Sequence, residues 1–154
     1  MPVMMLYHIN FGYPMLNPHA GVISSGGTPV PGSCMAEKEG ELELWNQFQE
    51  PVDEYEERLF YHTFPQNGKN AFVELIQDRS CPETSPRVRL EFDPKELPNM
   101  VQWKKMQKQQ YVVGLEPCNV LPVGRAKLRD EGRLPMLAPG EKQQITIKYE
   151  YIKP

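Results

Sequence analysis

The sequence predicts a mostly-β chain, folded as an antiparallel β-sandwich with one or two short helical turns. Several stretches alternate polar and apolar residues with a period of two, the pattern of strands with one wet face. Sixteen of the 154 residues are proline, about twice the usual share, and interior proline breaks helices. The prolines fall between apolar patches, where turns and strand ends belong. Many short strands with turn punctuation point to a sandwich.

The elements follow in chain order. "MMLYHINF" is continuously apolar and predicts a buried strand. Asn17 to Ser33, "NPHAGVISSGGTPVPGS", is rich in Gly, Pro and Ser and predicts a loop. "ELELWNQF" and "AFVELIQD" predict short strands. "ERLFYHTF" sets Leu59, Tyr61 and Thr63 against Phe60, His62 and Phe64. "SCPETSPR" predicts a loop, and "RVRLEFD" a strand with Val88, Leu90 and Phe92 on one face. In "DPKELPNMVQWKKMQKQQ", Asp93 can cap and Pro94 can start a turn of helix that Pro98 ends. That predicts a helical turn at Pro94 to Leu97 and a second around Asn99 to Met106. Tyr111, Val112 and Val113 read as a buried strand running into Gly114, Leu115, Glu116 and Pro117. "LRDEGRLPMLAPGEKQ" predicts a loop whose Pro139-Gly140 turn leads into "QQITIKYEYI". That last strand carries Ile145, Ile147, Tyr149 and Tyr151 on one face.

Composition excludes several classes. Hydrophobic residues at 40% and charged residues at 24% describe a globular chain long enough for a real core. A net charge of −3 with no basic stripe argues against nucleic acid as a partner. Lys104, Lys105 and Lys108 cluster, and read as a solvated face. No apolar run approaches a membrane span, and the first residues lack the basic region of a signal peptide. The three cysteines, Cys34, Cys81 and Cys118, form no C-x-x-C pair. Reduced thiols predict a cytoplasmic protein. Nothing predicts a metal or a cofactor: no phosphate loop, dinucleotide fingerprint or zinc motif is present.

Chemistry must then come from histidines, carboxylates and aromatics. His8 sits in an apolar stretch, as a core histidine or as a proton donor near neutral pH. Glu116 ends an apolar strand before a proline. If it is partly desolvated, it has a raised pKa and can act as a base. The alternative is a strand-end glutamate that points to water or pairs with Arg125 or Arg129. His62 either lines a pocket or packs in the core. Trp103 and Tyr13 offer flat apolar faces for a sugar, whereas Trp45 reads as core and His19 as exposed.

A resemblance adds to these readings. "GLEPCN", "GRAKLR" and "LAPGE", in that order, and "LYHINFGYPML" near the start resemble the galactose-mutarotase-like superfamily. The chain is most similar to its aldose 1-epimerase-like branch, once described as a domain of unknown function. The resemblance spans most of residues 1–154 and is weakest in the middle. It implies a large antiparallel β-sandwich, of which this chain is one domain corresponding to the C-terminal part. It also implies interconversion of aldose anomers without metal or nucleotide. Glu116 matches the general base that takes the proton of the anomeric hydroxyl, and His8 the acid that protonates the ring oxygen. His62, Trp103, Arg125, Asn10 and Glu57 are the residues expected at the sugar. Family members are about twice as long, and their first half supplies further sugar contacts. A non-catalytic carbohydrate-binding module and an inactive fragment are the competing expectations.

Overall fold

The computed structural model describes residues 1–154. Nine strands form two antiparallel sheets, and helix is confined to one short segment. The strands are β1 (Ile9–Phe11), β2 (Gly21–Ser24), β3 (Val30–Pro31), β4 (Arg58–Thr63), β5 (Ala71–Ile76), β6 (Arg87–Phe92), β7 (Asn99–Gln107), β8 (Gln110–Cys118) and β9 (Ile147–Ile152). Helix α1 covers Arg125–Asp130. One sheet runs β1-β8-β7-β4-β3, the other β2-β5-β6-β9. The predicted sandwich is therefore the observed fold.

The core lies between the sheets. From one side come Val73, Leu75, Val88, Leu90 and Phe92, and from the other Phe11, Met100, Val113 and Leu115. Burying each large apolar side chain stabilises the fold by roughly 1.5–3 kcal/mol. β6 shows the logic most plainly: Val88, Leu90 and Phe92 turn inward, while Arg87, Arg89 and Glu91 turn out. Arg89 and Arg87 then hold the outward carboxylate of Glu74 on β5, at 3.0 and 3.7 Å.

Several expectations need correction. Asn99–Gln107 is no helical turn. It is the nine-residue strand β7, paired with β4 on one side and β8 on the other. Pro94 to Leu97 does form one turn, with Asp93 receiving the amide of Lys95. "ELELWNQF" forms turns rather than a strand. The carbonyls of Leu44 and Trp45 are taken by the side chains of Lys104 and Gln102, which leaves them no strand partner. The glycine-rich stretch from Asn17 to Ser33 contains β2 and β3. Of "MMLYHINF", only Ile9–Phe11 is a named strand, and Met5 and His8 are exposed. The lysine cluster is not a solvated face: Lys104 is buried, and Lys108 alone stands clear, paired with Asp53.

Candidate functional site

Side chains alternate along a strand, so the five-stranded sheet has a core face and a second face. On β8, Val113 and Leu115 enter the core, and Gly114, Glu116 and Cys118 lie on the other face. The register puts Trp103 and Asn10 beside Gly114, and Val101 beside Glu116. Tyr61 lies beyond Val101 in the same row. Glu116, Trp103, Asn10 and Tyr61 thus share one face.

His8 joins this face through the segment before β1. Leu6 bridges Cys118, the Tyr7 amide donates to the Pro117 carbonyl at 3.0 Å, and Ile9 pairs with Leu115. That antiparallel run sets His8 opposite Glu116. Nε2 of His8 lies 3.0 Å from Oε1 of Glu116, with the histidine side chain half exposed and the carboxylate 6% exposed. No protein donor is aligned on that buried oxygen, so the contact is a close approach rather than a formed hydrogen bond. Burial pushes the Glu116 carboxyl above the usual glutamate range, and the charge of His8 partly opposes the shift.

The "GLEPCN" stretch supplies the geometry residue by residue. A Cβ on Gly114 would stand 2.5 Å from Oε1 of Glu116 and 3.3 Å from Oδ1 of Asn10. Only glycine leaves the carboxylate room to fold back along the strand. Pro117 has no N–H to give, and within a strand the N–H and C=O of one residue face the same neighbour. Because the Pro117 carbonyl faces Tyr7, the missing donor falls on the His8 side and spares the β7–β8 ladder. Asn119 was not singled out in the sequence, yet it fixes the segment carrying His8. Its Oδ1 accepts from the Met5 amide at 2.8 Å, and its Nδ2 donates to the Val3 carbonyl at 2.9 Å. The signal that could have found it is its place closing the motif.

The other expected residues are divided. The Trp103 ring meets the His8 ring edge-on at 6.0 Å, and its Nε1 donates to Glu57 at 2.8 Å. Trp103, Glu57, His8 and Glu116, with Asn10, form one cluster. Arg125 is exposed at the start of α1. Tyr13 is 86% exposed in a loop. His62 is on the core face, 1% exposed, between Trp45 and Phe64. Its Nε2 is 3.0 Å from Oε1 of Gln102, while its Nδ1 has no partner. Burial lowers its pKa to about 4.

Fold and site together define a class: a two-sheet antiparallel sandwich bearing a buried carboxylate against a half-exposed histidine. Residues 1–151 match a family described as a domain of unknown function, DUF4432, and the chain belongs to that family. No curated protein matches it. Among solved structures it is similar to one described as a "putative aldose 1-epimerase" from Klebsiella pneumoniae subsp. pneumoniae, at 24% identity and a TM-score of 0.85. The similarity covers 97% of this chain and 38% of that one, so this chain spans well under half the length of that structure. At that identity the likeness establishes the fold.

Proposed function

We propose that this chain carries the acid–base pair of an aldose 1-epimerase-like isomerase, which interconverts sugar anomers by opening and reclosing the ring. The observation that carries the reading is the 3.0 Å approach of His8 Nε2 to Glu116 Oε1. In an aldose, the anomeric hydroxyl and the ring oxygen hang on the same carbon. A base for one and an acid for the other must therefore lie close together. Glu116, as the carboxylate, takes the hydroxyl proton. His8, protonated, gives its proton to the ring oxygen as the bond from that oxygen to C1 breaks. The open-chain aldehyde rotates about C1–C2, and reclosure returns both protons.

Further features support the reading. Burial raises the Glu116 pKa and so strengthens it as a base. The half-exposed His8, on a segment that lacks one strand hydrogen bond at Pro117, can part from Glu116 to admit a sugar. Trp103 offers an apolar face beside the pair, and Asn10 and Glu57 offer polar groups for hydroxyls. The 38% share of the similar structure is in keeping with this chain as one part of a longer sandwich, which the sequence resemblance would put at the C-terminal end. Three free thiols support a cytoplasmic setting.

The test is NMR exchange spectroscopy between the anomers of a panel of aldoses. The chain is expected to speed exchange of at least one, and Glu116→Gln to slow it by roughly 10²–10⁴-fold. Exchange no faster than the spontaneous rate for every sugar sinks the enzymatic reading. Saturable sugar binding without exchange would instead assign a carbohydrate-binding module.

A further inference from the structure

Lys104 is the chain's most deeply buried cation. It lies on β7 with its side chain on the core face, opposite Val113, and so on the far side of the sheet from Glu116. The residue is 3% exposed. Its Nζ donates to one acceptor, the Leu44 carbonyl, at 2.8 Å. The rings of Phe48 and Phe60 stand 5.5 and 5.7 Å from it. The one carboxylate nearby, Glu41, is bonded to Arg58 at 2.7 Å, and no acid reaches ion-pair distance of Nζ. Arg58 is the cross-strand partner of Lys104, so a like charge faces it.

Burial with one neutral acceptor and a cationic neighbour disfavours the ammonium relative to the free amine, and the two aromatic faces offset only part of that. Burial lowers the Lys104 pKa to about 8; the charge of Glu41 opposes it, and Arg58 adds a smaller push in the same direction as burial. The lysine also borders space. A cavity of about 170 Å³ is lined by Lys104, Glu41, Leu44, Phe48, Tyr55 and Met106, among others. A desolvated lysine beside a cavity, here one with a mixed polar and apolar lining, is suited to attack on a carbonyl.

We propose that Lys104 is a nucleophilic amine site that forms an imine with small aldehydes entering the cavity between β7, the Glu41–Phe48 segment and Tyr55. The Nζ lone pair attacks the carbonyl carbon and forms the C–N bond. The carbonyl π pair moves to oxygen, which gains the proton that nitrogen loses. The carbinolamine hydroxyl then takes up a proton and leaves as water while the nitrogen lone pair completes the C=N bond and nitrogen gives up its remaining proton. Aldehyde and amine go in, imine and water come out, and no oxidant or reductant is needed. The cavity is large enough for a two- or three-carbon aldehyde. Lys104 is the one cationic residue of the lining, and its neighbour Arg58 lies outside the lining and is committed to Glu41, so the cavity is poor for an acyl oxyanion or a carbamate.

The test treats the full chain with limiting acetaldehyde and sodium cyanoborohydride, which traps the imine as a secondary amine, and maps labelled peptides by mass spectrometry. Lys104 is expected to label at least about tenfold faster than the exposed Lys38, Lys142 and Lys153 at pH 8, because a far larger fraction of it is neutral. Its rate should level off just above pH 8 while theirs keeps rising. Labelling of Lys104 at or below the rate of those lysines overturns the proposal, as does a rate that climbs without levelling. Lys104→Met should lose the fast label and keep the slow ones. Should that variant not fold, the pH profile of the wild-type chain decides alone. Neither readout depends on sugar chemistry, so the proposal stands or falls apart from the assignment of Glu116.

Discussion

Glu116 occupies a place that a stability-driven sequence would give to an apolar residue. Its folded pKa is raised by burial, so the unfolded chain ionises it at a lower pH than the folded chain does. Below the ordinary glutamate pKa both states hold the proton and nothing is lost. As pH rises from there through the raised folded value, stability falls. The uncharged Glu116→Gln variant escapes this loss. It should melt at a higher temperature than the wild type at pH 7, with the difference vanishing near pH 4, as differential scanning fluorimetry across pH would show. A variant that melts lower at pH 7 would mean that His8 more than offsets the burial. Residue chemistry in the sequence left Glu116 divided between base and surface carboxylate. What the sequence did hold was Gly114 two positions earlier, the one residue that leaves the carboxyl its space.

Among the elements, those whose inward row is dominated by apolar side chains or aromatic rings were legible. β6 showed its alternation in the sequence, and β4 showed its two faces, with His62 placed beside Phe60 and Phe64. β7 was hidden because two of its inward residues, Gln102 and Lys104, are polar and read as outward. Their side chains in turn satisfy carbonyls of Leu44 and Trp45, which is why the apparent strand "ELELWNQF" is not one. β2 and β3, at four and two residues, are too short to display a period. α1 begins at Gly124 without a side-chain cap and has no acidic first turn, so it lacked a start signal. The β4–β7 pairing also makes an acid-sensitive joint. His62 folds with a pKa of about 4, against about 6.5 in the unfolded chain. Its contribution is full above pH 6.5 and is lost as pH falls toward 4, amounting to about 3 kcal/mol over that window. Urea denaturation from pH 7 to 4 should show this slope, and His62→Leu should flatten it. Asn119 joins β8 to the segment before β1 by two side-chain hydrogen bonds. Asn119→Ala should cost about 1–3 kcal/mol of stability. It should also slow anomer exchange, while Asn119→Asp, which keeps the acceptor for the Met5 amide, recovers part of both.

At the scale of the whole molecule, both sheets end on the same side. β1 and β9 are edge strands, and the stack of Phe11 on Tyr149, 6.4 Å between ring centres, joins them. The inward row of β9 is poorly covered there: Tyr149 is 57% and Tyr151 49% exposed. The opposite is true of β7 and β8, nine residues each, paired along their full length and buried between neighbours. No helix is long and apolar enough to cross a membrane. The sequence showed several of the strands but not this asymmetry, since sheet order depends on pairings distant in the chain.

That asymmetry has a consequence for the site. Local opening should begin at the thin side, so in native-state hydrogen exchange the amides of β9 and β1 should exchange well before those of β7 and β8. Uniform protection across all four strands would contradict this. His8 belongs to the early-opening margin, and Glu116 to the late-opening centre. The proposed proton acceptor is thus anchored in what should be the slowest-breathing part of the fold, and its partner rides on one of the fastest.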